Sequence, residues 1–417
     1  MDERQRIATL HRRFGLGLPV GTLADAVNRG VDIEVGRILS PTEAGIAPTP
    51  DPLVGVDLTD ASVSREQRSG RLVAAWLTRM VSTERPLEDR MSWFWHNLLV
   101  TSALKTRVAP ALANQLRLFW GLGTGSLPDL YRAITVDPAM LDYLDGRDST
   151  GSAPNENYGR ELLELFALGV GNFTENDVRA AAAALTGWTT VKQDDKPATF
   201  VTRRHNDGPQ QLLGTTVHDV ASVLEAVTKH PACTLFLAGK VGRALLGPAL
   251  DPASVTSLAA AFTTSNLSIA ALVRAAIDLH LAGVTGGPIV LGPVPWLVMA
   301  ERATGARVRD LKRIGGLRAA GQVPFYAPNV AGWPGGQSWY GSSTMVARLN
   351  LAGVLAQATP PTSPALTAAK ASDWPALSRA LGLPADFGAT TVTALSLVPD
   401  TFSRLAIALV SPEFVEV

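Results

Sequence analysis

Runs of alanine and leucine at helical spacing constrain this chain more than any other feature. LVAAWLTRMV (72–81), DVRAAAAALTGW (177–188) and SIAALVRAAIDLHLAG (268–283) return apolar side chains every three to four positions, the repeat that lets one face of a helix be buried. Strand-like alternation is scarce, and ATFVTRR (198–204) is its best instance. The spacing therefore predicts a mostly α fold: a single large multi-helix domain with long Gly/Pro-rich loops and at most a small β-hairpin near 198–214. A chain of 417 residues, 46% hydrophobic, can bury one large core or two ordinary ones. Neither an internal repeat nor a sharp shift in composition divides it, so one helical domain over 1–417 is expected.

Glycine and proline set the expected breaks. Loops are predicted at 41–60 and at 321–343, a polar insertion at 189–214, and a Pro-rich linker at 358–367 that leads to a C-terminal helical segment. In the 321–343 loop, Phe325, Tyr326, Trp333, Trp339 and Tyr340 read as pins holding it to the body, with an aromatic ligand platform as the alternative. Thr174 followed by Asp177 marks a helix start resembling a capping box, and Gly187 a stop.

Several function classes are excluded early. Lys+Arg and Asp+Glu both number 37, so the basic excess of a nucleic-acid binder is missing. Cys233 is the only cysteine and the start MDERQRIATLHRR is charged, which predicts a reduced, cytoplasmic protein. GGPIVLGPVPWLVMA (286–300) is too short and too proline-broken to cross a bilayer, so no membrane span is expected. No Walker A loop, GxGxxG, GxSxG or HExxH is present, which disfavours nucleotide, dinucleotide, α/β-hydrolase and zinc chemistry. The residues specify no cofactor.

Chemistry is most strongly suggested by APNENYGRELLELFALGVGN (153–172). At about 100° per residue, Asn157, Glu161 and Glu164 fall on one stripe of a helix. Two carboxylates so placed, if buried, would repel, raise one pKa, and offer an acid/base pair or two metal ligands. The same spacing fits glutamates that face water or pair with Arg160 or Arg90. Pro154-Asn155-Glu156-Asn157 reads as a helix start, with Asn as cap and Glu in the first turn. RMSWFWHNLLVTSALK (90–105) carries His96 and Asn97 into a core or a pocket, and RRHNDGPQQLLG (203–214) sets His205 and Asp207 beside a Gly-Pro turn. His11, His218, His230 and His280 show no ligand spacing.

LHRRFGLG (10–17), RMSWFWHNLLVTS (90–102), DPAMLDYLDG (137–146), the block from Pro154 to Trp188, HNDGPQQLLG (205–214) and APNVAGWPGGQSW (327–339) together resemble one bacterial family, grouped as domain of unknown function 1800. The resemblance is close to full length and most specific in the Asn-Glu-Asn to Thr-Gly-Trp block. It implies a mostly helical protein without an established general activity, often encoded beside a family that looks related to alkaline phosphatases and sulfatases, hence a neighbour-encoded protein partner. Glu156, Arg160, Glu161, Glu164, Asn155, Asn157, Asn97 and His205 match the family pattern. Leu98 stands where a second histidine is usual, and Asn206 and Gln210 occupy positions usually acidic and basic, with Asp207 one residue from the missing acid.

These readings converge on an enzyme, a hydrolase or lyase acting on a polar substrate such as a glycan or peptide-like metabolite. Glu161, Glu164 and His205 would be catalytic, while Asn97, His96, Asn155, Asn157, Arg160 and Asp207 would hold the substrate. Two alternatives stay open: a non-catalytic scaffold or partner subunit of a complex, and a divalent-metal-dependent enzyme.

Overall fold

The computed structural model describes residues 1–191 and 196–417. Helices follow one another from Glu3–Phe14 to Pro412–Val415, as the alanine and leucine spacing requires. Among the described residues four of them open with a capping box, at Asp2, Ser64, Thr174 and Asp219, each satisfying backbone N–H groups that a first turn leaves orphaned. Others begin with proline in the first turn, among them those at Pro86, Pro138, Pro231, Pro252 and Pro293, where a missing N–H costs nothing. The Thr174 helix runs to Ala184, and Gly187, at φ 96°, turns the chain beyond it.

Strand is limited among the described residues to two antiparallel pairs. Trp188–Thr189 pairs with Thr199–Phe200, and Gln210–Leu212 with Thr215–Val217. The second pair crosses the end of the window where one hairpin is expected from the sequence. It turns through Leu213 and Gly214 at φ 52° and 76°, and Leu-Gly carries none of the Asn-Gly or Asp-Gly chemistry that announces such a turn. Of the polar insertion at 189–214, residues 192–195 lie outside the described residues.

The buried apolar side chains form one core, shared by Leu10 and Phe14 near the start, Trp76 and Trp95, Phe166, Trp296, and Leu409 and Phe414 near the end. The last helices are tied back to that body. Ile289 and Val417 exchange backbone hydrogen bonds at 2.9 and 3.0 Å, and Trp296 Nε1 donates to the Leu409 carbonyl at 2.7 Å. Between helix Ser342–Ala358 and helix Pro364–Ala371 only residues 359–363 remain as linker. Among the described residues no helix is long and apolar enough to cross a membrane.

Candidate active site

The glutamate helix begins as its sequence dictates. Asn155 Oδ1 accepts the Asn157 N–H at 2.8 Å, and Glu156 occupies the first turn of helix Glu156–Glu161. That α-helix passes directly into a π-helix over Leu162–Ala167, in which Leu168 N–H reaches the Leu163 carbonyl at 3.0 Å. The wider turn follows the burial of Leu162, Leu163 and Phe166, and the Tyr131 hydroxyl donates to the Phe166 carbonyl at 2.5 Å. Such π turns concentrate at functional sites. Asn157 and Glu161 keep α geometry, one turn apart on one face. Glu164 sits in the wider turn, off the stripe that a 100° wheel assigns to it.

Glu161 and Glu164 are both half-buried, and neither has a hydrogen-bond or ion-pair partner among the described residues. Burial, and then the neighbouring Glu164 carboxylate, raise the Glu161 pKa, with Arg160 opposing. The arginines that would neutralise the pair are engaged elsewhere. Arg160 binds Glu175 and Glu156 at 2.7 and 3.1 Å, and Arg90 donates to the carbonyls of Arg13 and Ala244.

One turn from Glu161, Asn157 Nδ2 donates to Asp145 Oδ2 at 3.3 Å, and Lys105 Nζ binds the same oxygen at 2.8 Å. Asp145 lines a pocket of about 370 Å³ together with Leu104, Lys105, Thr106, Arg107, Asp142 and Arg147. Arg147 Nη1 lies 2.6 Å from Asp142, yet burial prevails over this contact and raises the Asp142 pKa. Tyr143 connects the pocket to the glutamates. Lys105 Nζ is 5.8 Å from its ring centroid, and burial followed by the Glu161 charge raises its phenol pKa. Two non-glycine residues of the pocket hold left-handed backbone, Arg107 at φ 56° and Asp145 at φ 59°. Aspartate tolerates that conformation, but for arginine it is a strain that surrounding structure must enforce. Arg107 is exposed and has no partner among the described residues.

His205 approaches the pocket through its loop and not through its ring. Gly151 N–H donates to the Arg204 carbonyl at 2.7 Å, and Arg204 Nη2 donates to the Arg147 carbonyl at 2.7 Å, which docks the loop behind the Arg147 wall. The imidazole turns to the Thr186 carbonyl, 2.9 Å from Nδ1, and to the Phe200 ring. Asn206 Oδ1 accepts the Gly208 N–H, and Gln210 Nε2 donates to the Gly208 carbonyl, so both side chains close the loop on its own backbone. Asp207 is exposed, and Asn155 is held by its N–H on Ser149 Oγ at 3.0 Å.

The structure does not bring His96 and Asn97 to the glutamates. His96 is fully buried between Trp76, Trp93, Phe325 and Trp333, with ring centroids 4.7 to 5.9 Å apart, and burial lowers its pKa to about 3. Its Nε2 accepts the Phe325 N–H, while Asn97 Oδ1 accepts the Trp333 N–H at 2.8 Å. A Cβ on Gly332, at φ 85°, would lie 2.4 Å from the Asn97 carbonyl oxygen, so only glycine fits there. Trp93 lies near it in the sequence, but Trp76, Phe325 and Trp333, which complete its packing, come from distant segments. Leu98 is partly buried against the same core.

Lys105, Arg107, Asp142, Asp145 and Arg147 escape a reading of the sequence for paired acids and histidines. Their nearest signal is DPAMLDYLDG, where Asp142 and Asp145 stand three apart, and nothing in the residue order announces the left-handed Arg107. Among the described residues no group of three or more His, Cys, Asp and Glu side chains is placed to hold a metal ion.

Fold and pocket thus define a single-domain helical protein with a charged pocket at the mouth of a glutamate-bearing π-helix. The family described as "Protein of unknown function (DUF1800)" matches residues 9–416, and the chain belongs to it. No curated protein and no solved structure matches the chain.

Proposed function

We propose that the protein is an enzyme, a hydrolase or lyase on a polar substrate such as a glycan or peptide-like metabolite, with Glu161 and Glu164 as its acid/base pair. One observation carries this reading: two half-buried carboxylates without a hydrogen-bond or ion-pair partner among the described residues, one with a raised pKa. A carboxyl whose pKa is raised above that of its neighbour is the one suited to protonate a leaving group, while the neighbour takes a proton from water or substrate. In the adjoining pocket Lys105 and Arg147 are paired with Asp145 and Asp142, which leaves Arg107 as the cation of the lining without a partner among the described residues, suited to an acidic group on that substrate. Asp142, whose pKa burial raises against the Arg147 contact, is a further carboxyl in the pocket lining. A reduced, cytoplasmic setting accompanies this reading, because Cys233 is the only cysteine of the sequence and can form no intrachain disulfide.

The test incubates purified protein with glycan and peptide mixtures and with a bacterial metabolite extract, and reads substrate loss by mass spectrometry. Glu161→Gln and Glu164→Gln should each reduce turnover by roughly 10²- to 10⁴-fold with the melting temperature nearly unchanged. Full turnover in both variants would remove the assignment.

A scaffold or partner subunit is the second reading, favoured by the use of His96 and Asn97 to fasten the aromatic loop. Stoichiometric co-purification with a neighbour-encoded protein, together with no turnover in isolation, would select it.

A further inference from the structure

A second cavity, of about 230 Å³, opens beside helix Glu3–Phe14, helix Val31–Leu39 and the turn at Thr83. At its base Glu34, 1% exposed, accepts His11 Nε2 at 2.7 Å and Arg29 Nε at 2.6 Å, with Arg37 Nε at 3.7 Å. A buried carboxylate persists only when its charge is met, and here meeting it fixes three basic side chains around one space. Each keeps capacity to spare. Arg29 and Arg37 have no partner other than Glu34 among the described residues, and His11, 8% exposed, has none at Nδ1. Arg302, 5% exposed, spends Nε on the Gly17 carbonyl and Nη1 on those of Met80, Val81 and Thr83. Its Nη2 has no acceptor among the described residues.

The opposite sign is present in the same lining. Asp25 and Glu84 are exposed into it and unpaired among the described residues. With Glu34 neutralised, the lining offers the guanidinium groups of Arg29, Arg37 and Arg302 and two carboxylates without a partner among the described residues, Asp25 standing one turn before Arg29 on the same helix. A simple anion would meet the carboxylates, and a simple cation would meet the arginines. A ligand bearing both charges satisfies both kinds of lining group. The volume is below the roughly 300–1,000 Å³ of pockets that take drug-sized molecules, which favours something small.

We propose that this cavity binds a small zwitterion of the amino-acid class, its carboxylate on Arg29, Arg37 and Arg302 and its ammonium on Asp25 and Glu84, with His11 held by Glu34 to contact the ligand through Nδ1. The site lies apart from the glutamate helix and does not depend on the activity proposed for it.

The experiment measures melting temperature and titration heat of the full chain with the common amino acids, acetate, ethylamine and inorganic phosphate, each at millimolar concentration. At least one amino acid should raise the melting temperature in proportion to the logarithm of its concentration and give saturable heat, while acetate, ethylamine and phosphate do not. Arg29→Gln and Asp25→Asn, both at exposed positions, should each weaken that binding by about tenfold or more. Three results would overturn the proposal: no amino acid binds, acetate or phosphate binds as well as the amino acid, or both variants bind like the original chain.

Discussion

His96 Nε2 accepts the backbone N–H of Phe325 at 3.0 Å, joining residues 229 positions apart. The imidazole is thereby fixed as the Nδ1–H tautomer, and that Nδ1–H is buried without an acceptor among the described residues. Trp76 and Trp333, which pack on the ring, also bury indole N–H groups without acceptors. A polar residue kept in an apolar cluster at this cost is explained by what it holds, the turn into the 321–343 loop. His96→Ala removes the acceptor of a buried N–H and leaves a cavity among four aromatic rings. The expected loss is about 3–5 kcal/mol of unfolding free energy, read from urea midpoints; a loss below 1 kcal/mol would show that the loop is held by other contacts.

The same burial predicts an acid limb. The unfolded chain protonates His96 near pH 6.5 and the folded chain only near 3, so between these values the unfolded state binds more protons. Stability therefore falls as pH falls from about 6.5 towards 3, by up to ~1.4 kcal/mol per pH unit for this one group. His280, lowered to about 4 by burial and then by Arg13, acts in the same direction. His96→Phe should flatten the limb by one proton's worth, measured as unfolding free energy against pH. An unchanged slope would place the titration elsewhere.

Asp137 works with the opposite sign. It is buried, accepts hydrogen bonds from Gln115 Nε2 and the Met140 N–H, and burial raises its pKa to about 7. The folded state holds this proton more tightly than the unfolded state, which releases it near pH 3.9. The contribution is thus fully present at low pH and is lost as pH rises through 7. Asp137→Asn keeps an acceptor at a helix N-cap and removes the titration. Relative to the original chain, the variant should gain a few kcal/mol between roughly pH 4 and 8, and a pH-independent difference would contradict the assignment.

The mostly α fold was legible because alanine and leucine spacing, capping residues and first-turn prolines are local signals, and local signals survive folding. The start at Asn155 and the capping box at Thr174 and Asp177 belong to this class. The candidate site was legible only in part. Glu161 over Asn157 follows from an α repeat, but the π turn that carries Glu164 depends on how Leu162, Leu163 and Phe166 pack and on Tyr131 capturing a carbonyl, none of which is local. Lys105 reaches Asp145 across 40 positions, and the reach of His96 to Phe325 is longer still. Whether a histidine serves chemistry or packing is decided by such distant partners, so the motif around His96 did not reveal which.

Glu301 and Arg313 test how far buried charge supports the core. Arg313 Nε and Nη2 reach the two carboxylate oxygens at 2.8 Å each, and both residues are nearly inaccessible. Glu301→Gln removes the buried carboxylate, leaves the Arg313 guanidinium with the more exposed Asp310 at 3.2 Å as its ion pair, and should cost up to about 3–5 kcal/mol. Glu301→Leu combined with Arg313→Met, which removes both charges, should recover most of that loss. A double-mutant cycle by thermal and urea unfolding reads the coupling, and additive losses would refute it.

Arg107 joins strain to the pocket. Left-handed backbone costs an L-residue about 1–2 kcal/mol relative to glycine, and at φ 56° Arg107 bears that cost while its guanidinium has no partner among the described residues. Arg107→Ala keeps the Cβ and the strain, whereas Arg107→Gly removes both but widens the freedom of the unfolded chain. The glycine variant should therefore be more stable than the alanine variant by about 1 kcal/mol. If the pocket anchors an acidic group of the substrate, both variants should raise KM and leave kcat close to that of the original chain, while Arg107→Lys, which restores a charge, should recover part of the loss. Unfolding curves and steady-state kinetics separate the two effects. A glycine variant no more stable than the alanine one would remove the strain, and a KM unchanged in both would remove Arg107 from substrate binding, leaving the left-handed turn as a feature of the loop alone.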